Sequence, residues 1–85
     1  MAKYRKKQVV IEAVEWKGHG DAHNENEILL FTDYTAFIVT GRLTIQTLEG
    51  EVKAEPGDYI IKDVDNQFYP CKPHIFAATY EAVDG

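Results

Sequence analysis

Cysteine is almost missing from this chain. Proline is scarce, long apolar runs are lacking, and few basic residues lie outside the extreme N-terminus. The single cysteine, Cys71, excludes an internal disulfide framework and a multi-cysteine zinc site. No stretch approaches the roughly eighteen apolar residues of a membrane span, and the N-terminus lacks the apolar run of a signal peptide. A cytoplasmic protein without a membrane partner is the expectation. Nine bases stand against fourteen acids, a net charge of −5, which disfavours general nucleic-acid binding. Four of those bases, Lys3, Arg5, Lys6 and Lys7, crowd the start, so the rest of the chain carries five bases against fourteen acids, a balance of −9. Residues 1–7 read as a solvated basic arm or an edge strand, where lysines discourage edge-to-edge pairing.

What is present is ordinary globular composition, 45% hydrophobic and 27% charged over 85 residues. A chain this short holds one domain, residues 1–85, around one thin core. Val9-Val10-Ile11 is a continuous β-branched run. With Glu12-Ala13-Val14-Glu15-Trp16 it predicts a strand near the middle of a sheet. The glycine-rich stretch Gly18 to Asn24 predicts a loop with two competing helix starts, Asp21 and Asn24. Asn24 with Glu27 fits a capping box. A helix over 24–33 follows, with Ile28, Leu29, Phe31 and Tyr34 as its buried stripe.

Strands follow over 37–40, 43–48, 51–54 and 59–62, joined by turns at Gly41-Arg42, Glu49-Gly50 and Pro56-Gly57-Asp58. Gln67-Phe68-Tyr69 pairs back as a hairpin, while Pro70 and Pro73 forbid a regular ladder beyond it. A short C-terminal helix begins near His74, with Pro73 in its first turn. The fold class expected is α+β: a small, mainly antiparallel sheet or half-open barrel of SH3- or PUA-like kind.

Catalytic groupings are weak. His19, Asp21 and His23 would point one way in an extended loop and have the right chemistry for zinc or iron, but their spacing matches no metal signature. They read as a solvated loop. Cys71 has only His74 near it in sequence and reads as a packed small hydrophobe. The pairs Asp63/Asp65 and Glu49/Glu51 sit where turns want polar residues. Neither a catalytic residue, a metal nor a cofactor is expected. Aromatics are the better lead: ten of 85 residues are Trp, Tyr or Phe, several of them near lysines in the last third. Rings beside ammonium groups suit a flat anionic ligand, although a small core also needs large side chains.

The strings Tyr4-Arg5-Lys6-Lys7-x-Val9-Val10-Ile11-Glu12-Ala13, Pro56-Gly57-Asp58-Tyr59-Ile60-Ile61-Lys62 and Phe68-Tyr69-Pro70-Cys71-Lys72-Pro73-x-Ile75-Phe76-x-x-Thr79-Tyr80-Glu81 resemble a family of small bacteriophage and prophage proteins. The resemblance covers most of the chain outside 17–47. It implies a phage origin and a bacterial host cytoplasm, and it carries over no catalytic residue. Asn66-Gln67 stands where such proteins often have Gly-Glu, and His74 where they often have an acid, so no essential carboxylate is expected at either place.

The combined expectation is a non-enzymatic, phage-type binding protein, assembled as a homo-oligomer, that captures a small nucleotide-like anion such as a host immune signal. Trp16 and Tyr69 would stack on that ligand; Arg42 and Lys72 would grip its oxygens. The alternative is a protein-interaction module that inhibits a host protein through a sheet edge or the basic arm.

Overall fold

The computed structural model describes residues 1–5 and 8–83; Lys6 and Lys7 of the basic arm, with Asp84 and Gly85, lie outside the described residues. In chain order the elements are β1 (Glu12–Glu15), α1 (Ala22–Phe31), β2 (Ala36–Val39), β3 (Arg42–Thr47), β4 (Gly50–Ala54), β5 (Tyr59–Lys62), β6 (Phe68–Cys71) and α2 (Pro73–Thr79). The strands form two three-stranded antiparallel sheets, ordered β1-β5-β6 and β2-β3-β4. This is the expected small α+β fold. The sheets pack without closing into a barrel.

Local chemistry sets the hairpins. Thr40 and Gly41 both take positive φ (48° and 77°) between the paired Val39 and Arg42. That is the mirror-image turn whose twist matches paired strands, and it puts Arg42 on β3 rather than in the turn. The β3–β4 turn is Leu48-Glu49, one residue ahead of Glu49-Gly50. There the Thr47 hydroxyl donates to the Gly50 carbonyl at 2.7 Å and accepts from the Glu49 N–H at 3.2 Å. At Glu55–Asp58 the Asp58 side chain accepts the Glu55 N–H at 2.9 Å, while Gly57 supplies φ of 97°.

Asp21 caps α1, accepting the Asn24 N–H at 3.0 Å. Asn24, the other candidate cap, lies inside the first turn because its amide has a different use. Its Oδ1 accepts the Lys17 N–H and its Nδ2 donates to the Glu15 carbonyl, both at 2.8 Å, tying the helix to the end of β1. Ile28 is buried, and Leu29 and Phe31 are half-buried, as the stripe predicts. Tyr34 is exposed instead. The helix stops at Phe31, the Thr32 hydroxyl donates to the Ile28 carbonyl, and Asp33 and Tyr34 turn away with positive φ.

Trp16, Ile28, Ala36, Leu43, Ile45, Ala54 and Ile60 form the core, with Val14, Phe31, Ile38, Val52 and Phe68 against it. Strand alternation gives the β1-β5-β6 sheet two unlike faces. Val14, Ile60 and Phe68 look into the core. Ala13, Tyr59, Ile61, Tyr69 and Cys71 share the opposite face, where α2 lays Phe76 parallel to Tyr59 with ring centroids 4.1 Å apart.

Two strand expectations are corrected. β6 takes Pro70 into its ladder opposite Ile60, which is tolerated because β6 is an edge strand with one side free of partners. β1 is also an edge rather than a middle strand, and only Glu12–Glu15 pairs. Its last partner is Lys62, beyond which β5 turns away at Asp63. Residues 8–11 therefore run past the end of the sheet. The radius of gyration is 14.3 Å and the longest extent 53 Å, against about 12 Å for a compact domain of this length. Residues 1–5 and 8–10 are all exposed, in keeping with that elongation.

Candidate functional site

The four residues expected to bind a small anion do not come together. Trp16 is 1% exposed in the centre of the core and presents no ring face to a ligand. Arg42 is exposed at the start of β3, in the other sheet from Tyr69. Lys72 reaches back to the turn before β5, its Nζ 3.1 Å from Glu55 Oε2 and 3.3 Å from the Asp58 carboxylate. Hydrogen bonding to Glu55, with Asp58 adding, holds the Lys72 pKa above its ordinary value. An ammonium already held by two carboxylates is a poor grip for a ligand's anionic oxygens.

Tyr69 alone keeps an unusual setting. Its hydroxyl pKa rises to about 12, chiefly through burial, then through the Tyr80 hydroxyl and the nearby Asp63. Asp63, Gln67 and Pro70 join it in a shallow pocket of about 420 Å³ closed by the β3–β4 hairpin tip, where Leu48 is 88% exposed. The charged groups lining that pocket are the acids Glu49 and Asp63. Because the folded state holds the phenol proton more tightly, stability is full below the unfolded tyrosine pKa of 10.0 and falls as pH rises through 10 toward 12. In an alkaline ultraviolet titration a tyrosine step should appear near 12, and Tyr69→Phe should remove it.

No metal centre forms from the histidine loop. Asp21 caps the helix, His19 Nδ1 lies 2.7 Å from Glu25 Oε1, and His23 is exposed on α1. Among the described residues, no group of three His, Cys, Asp or Glu side chains is placed to hold a metal ion. The Cys71 thiol points at the Lys72 carbonyl, 3.6 Å away.

The larger concavity lies where none of the expected residues is. A groove of about 590 Å³ runs on the α2 side of the β1-β5-β6 sheet. One wall is the overhang 8–11 with Ala13. The other is Phe76, Thr79 and Tyr80 with the tail 81–83, which leaves α2 in extended conformation at Tyr80. Among the described residues, Glu81 is the one charged residue lining it. Val10 on the first wall is 75% exposed, and Val9 and Val83 are also exposed. Reasoning from sequence missed this site because Val9-Val10-Ile11 has the composition of a buried strand. The signal that could have found it was the basic arm immediately before that run, which favours an overhanging edge over a central strand.

No helix among the described residues is long and apolar enough to cross a membrane. No protein-family model, curated protein or solved structure matches the chain.

Proposed function

We propose that the chain is a non-enzymatic protein-interaction module of phage type that inhibits a host protein by taking an extended segment of it along the overhang 8–11. One observation carries this reading: a β-branched run that continues past the last paired residue of β1 borders a groove in which, among the described residues, Val9, Val10, Ile11, Phe76 and Val83 supply apolar surface. Unpaired edge backbone gives affinity by strand addition, and the apolar wall selects side chains. Of the four candidate anchors for a small anion, Lys72 is held by Glu55 and Asp58 and Trp16 is enclosed in the core.

Val10→Asp is the discriminating variant. Val10 is exposed, so the change should leave folding within about 0.5 kcal/mol of the parent while placing a charge in the groove. Tagged parent protein should retain a stoichiometric bacterial protein from lysate, and Val10→Asp should lose it. Calorimetry against cyclic and linear nucleotides at low salt should give no heat. Heat that disappears with Tyr69→Ala would instead establish the small-anion reading.

A further inference from the structure

We infer that the groove's resident partner is a second copy of this chain: two molecules exchange their N-terminal segments, each laying its residues 8–11 into the other's groove. This rests on the proposed strand-accepting edge and names what occupies it before any host protein does. The walls of the groove are two segments outside helix and strand, 8–11 and 80–83, the second starting from an extended Tyr80, with a gap of about 590 Å³ between them. If the partner's 8–11 enters that gap antiparallel to this chain's 8–11, the same operation places this chain's 8–11 in the partner's gap. Four segments then lie side by side, tail, partner overhang, overhang, partner tail. Each overhang gains neighbours on both sides, and the two-fold relation is self-consistent, as an isologous contact requires.

Charge fixes the choice of a second copy over an arbitrary strand. The arm leading into the overhang carries Lys3, Arg5, Lys6 and Lys7, and the remainder of the chain has a balance of −9. Exchange brings each basic arm over an acidic partner body. In a free chain residues 1–5 are instead exposed, Met1 and Tyr4 almost completely. The attraction steers encounter and weakens as salt screens it.

Light scattering on the purified full chain over a wide dilution series should show a mass twice 9.7 kDa that halves on dilution. Val10→Asp should raise the dissociation constant about thirtyfold or more, as loss of an interface anchor does. Reversing Lys3 and Arg5 to Glu, or working at about 1 M salt, where the Debye length is about 3 Å, should also weaken the dimer. A second measurement locates the contact. In a Cys71→Ser background, one preparation carries Val10→Cys and another Thr79→Cys. Mixed under mild oxidation they should form a disulfide-linked heterodimer.

A chain that is monomeric throughout, a dimer unmoved by Val10→Asp with native circular dichroism, or a mixture giving no cross-linked heterodimer overturns the exchange. Host-protein capture separates this inference from the function it rests on. A monomer that still captures a host protein through Val10 removes the exchange and keeps the function. An exchanged dimer that captures nothing keeps the exchange and removes the host-protein reading.

Discussion

Trp16→Ala should cost about 3–5 kcal/mol of stability, the range for deleting a large buried aromatic. A domain of 85 residues has about 4–13 kcal/mol in all, so the variant should be partly unfolded near physiological temperature. The reason is position. The indole sits among Ile28, Leu43, Ile45 and Ile60, and the Trp16 backbone donates to Asp58 O at 2.8 Å and accepts the Gly57 N–H at 2.7 Å. The side chain therefore anchors α1 and both sheets around a point where the backbone is already stapled to the Glu55–Asp58 turn. Urea unfolding followed by far-ultraviolet circular dichroism measures it, since Trp16 is the one tryptophan and its fluorescence goes with it. With a slope near 1 kcal/mol per molar urea, the midpoint should fall by about 3 M or more. A ring that served to stack a ligand at the surface would cost within about 0.5 kcal/mol on removal. A loss that small would remove Trp16 from the core.

Replacing Asn24 should be nearly as damaging for a smaller change in volume. Asn24 is 2% exposed and its amide satisfies two main-chain groups, the Lys17 N–H and the Glu15 carbonyl. Asn24→Ala strands both, at about 1–3 kcal/mol each. Asn24→Asp is the sharper probe. One carboxylate oxygen keeps the Lys17 bond, while the other meets the Glu15 carbonyl oxygen with no hydrogen between them. Burial and that repulsion disfavour the charged form, so the introduced acid should have a folded pKa above the unfolded value of about 3.9. The sign follows from that. The variant should lie closest to the parent below about pH 4, where the acid is protonated and can donate to Glu15, and fall furthest behind as pH rises through the folded pKa. Parallel denaturation of both proteins at acid and neutral pH reads the difference directly. A gap that widens toward acid would contradict the hydrogen-bond assignment.

Much of the architecture was legible because its signals are local. The β-branched runs of β2 and β5, the polar edge character of β4, the turn at Gly57 and Pro73 at the start of α2 all follow from single-residue geometry. What was not legible depends on partners far away in sequence. Asn24 and Asp21 are equally good caps on paper; the choice between them is made by the Glu15 carbonyl, nine residues back. Pro70 reads as a ladder breaker until β6 is known to be an edge. The same gap in information bears on the candidate site. Trp16 and Lys72 have the chemistry of a stacking ring and an anion grip, and only tertiary structure shows the first enclosed by the core and the second held by Glu55 and Asp58. Val9 and Val10 have the chemistry of core residues, and only the length of β5 shows that the sheet ends before reaching them.

Hydrogen–deuterium exchange of the backbone amides of residues 8–11 tests the strand-accepting edge most directly. In dilute monomer these amides lack strand partners and should exchange at the rate of an open chain, while those of β5 are slow. With partner bound, whether a second copy or a captured host protein, the 8–11 amides should slow by orders of magnitude together with those of 80–83, and the Leu48 pocket should not change. Amides at 8–11 that are equally fast with and without partner would show that binding, wherever it occurs, does not use this edge.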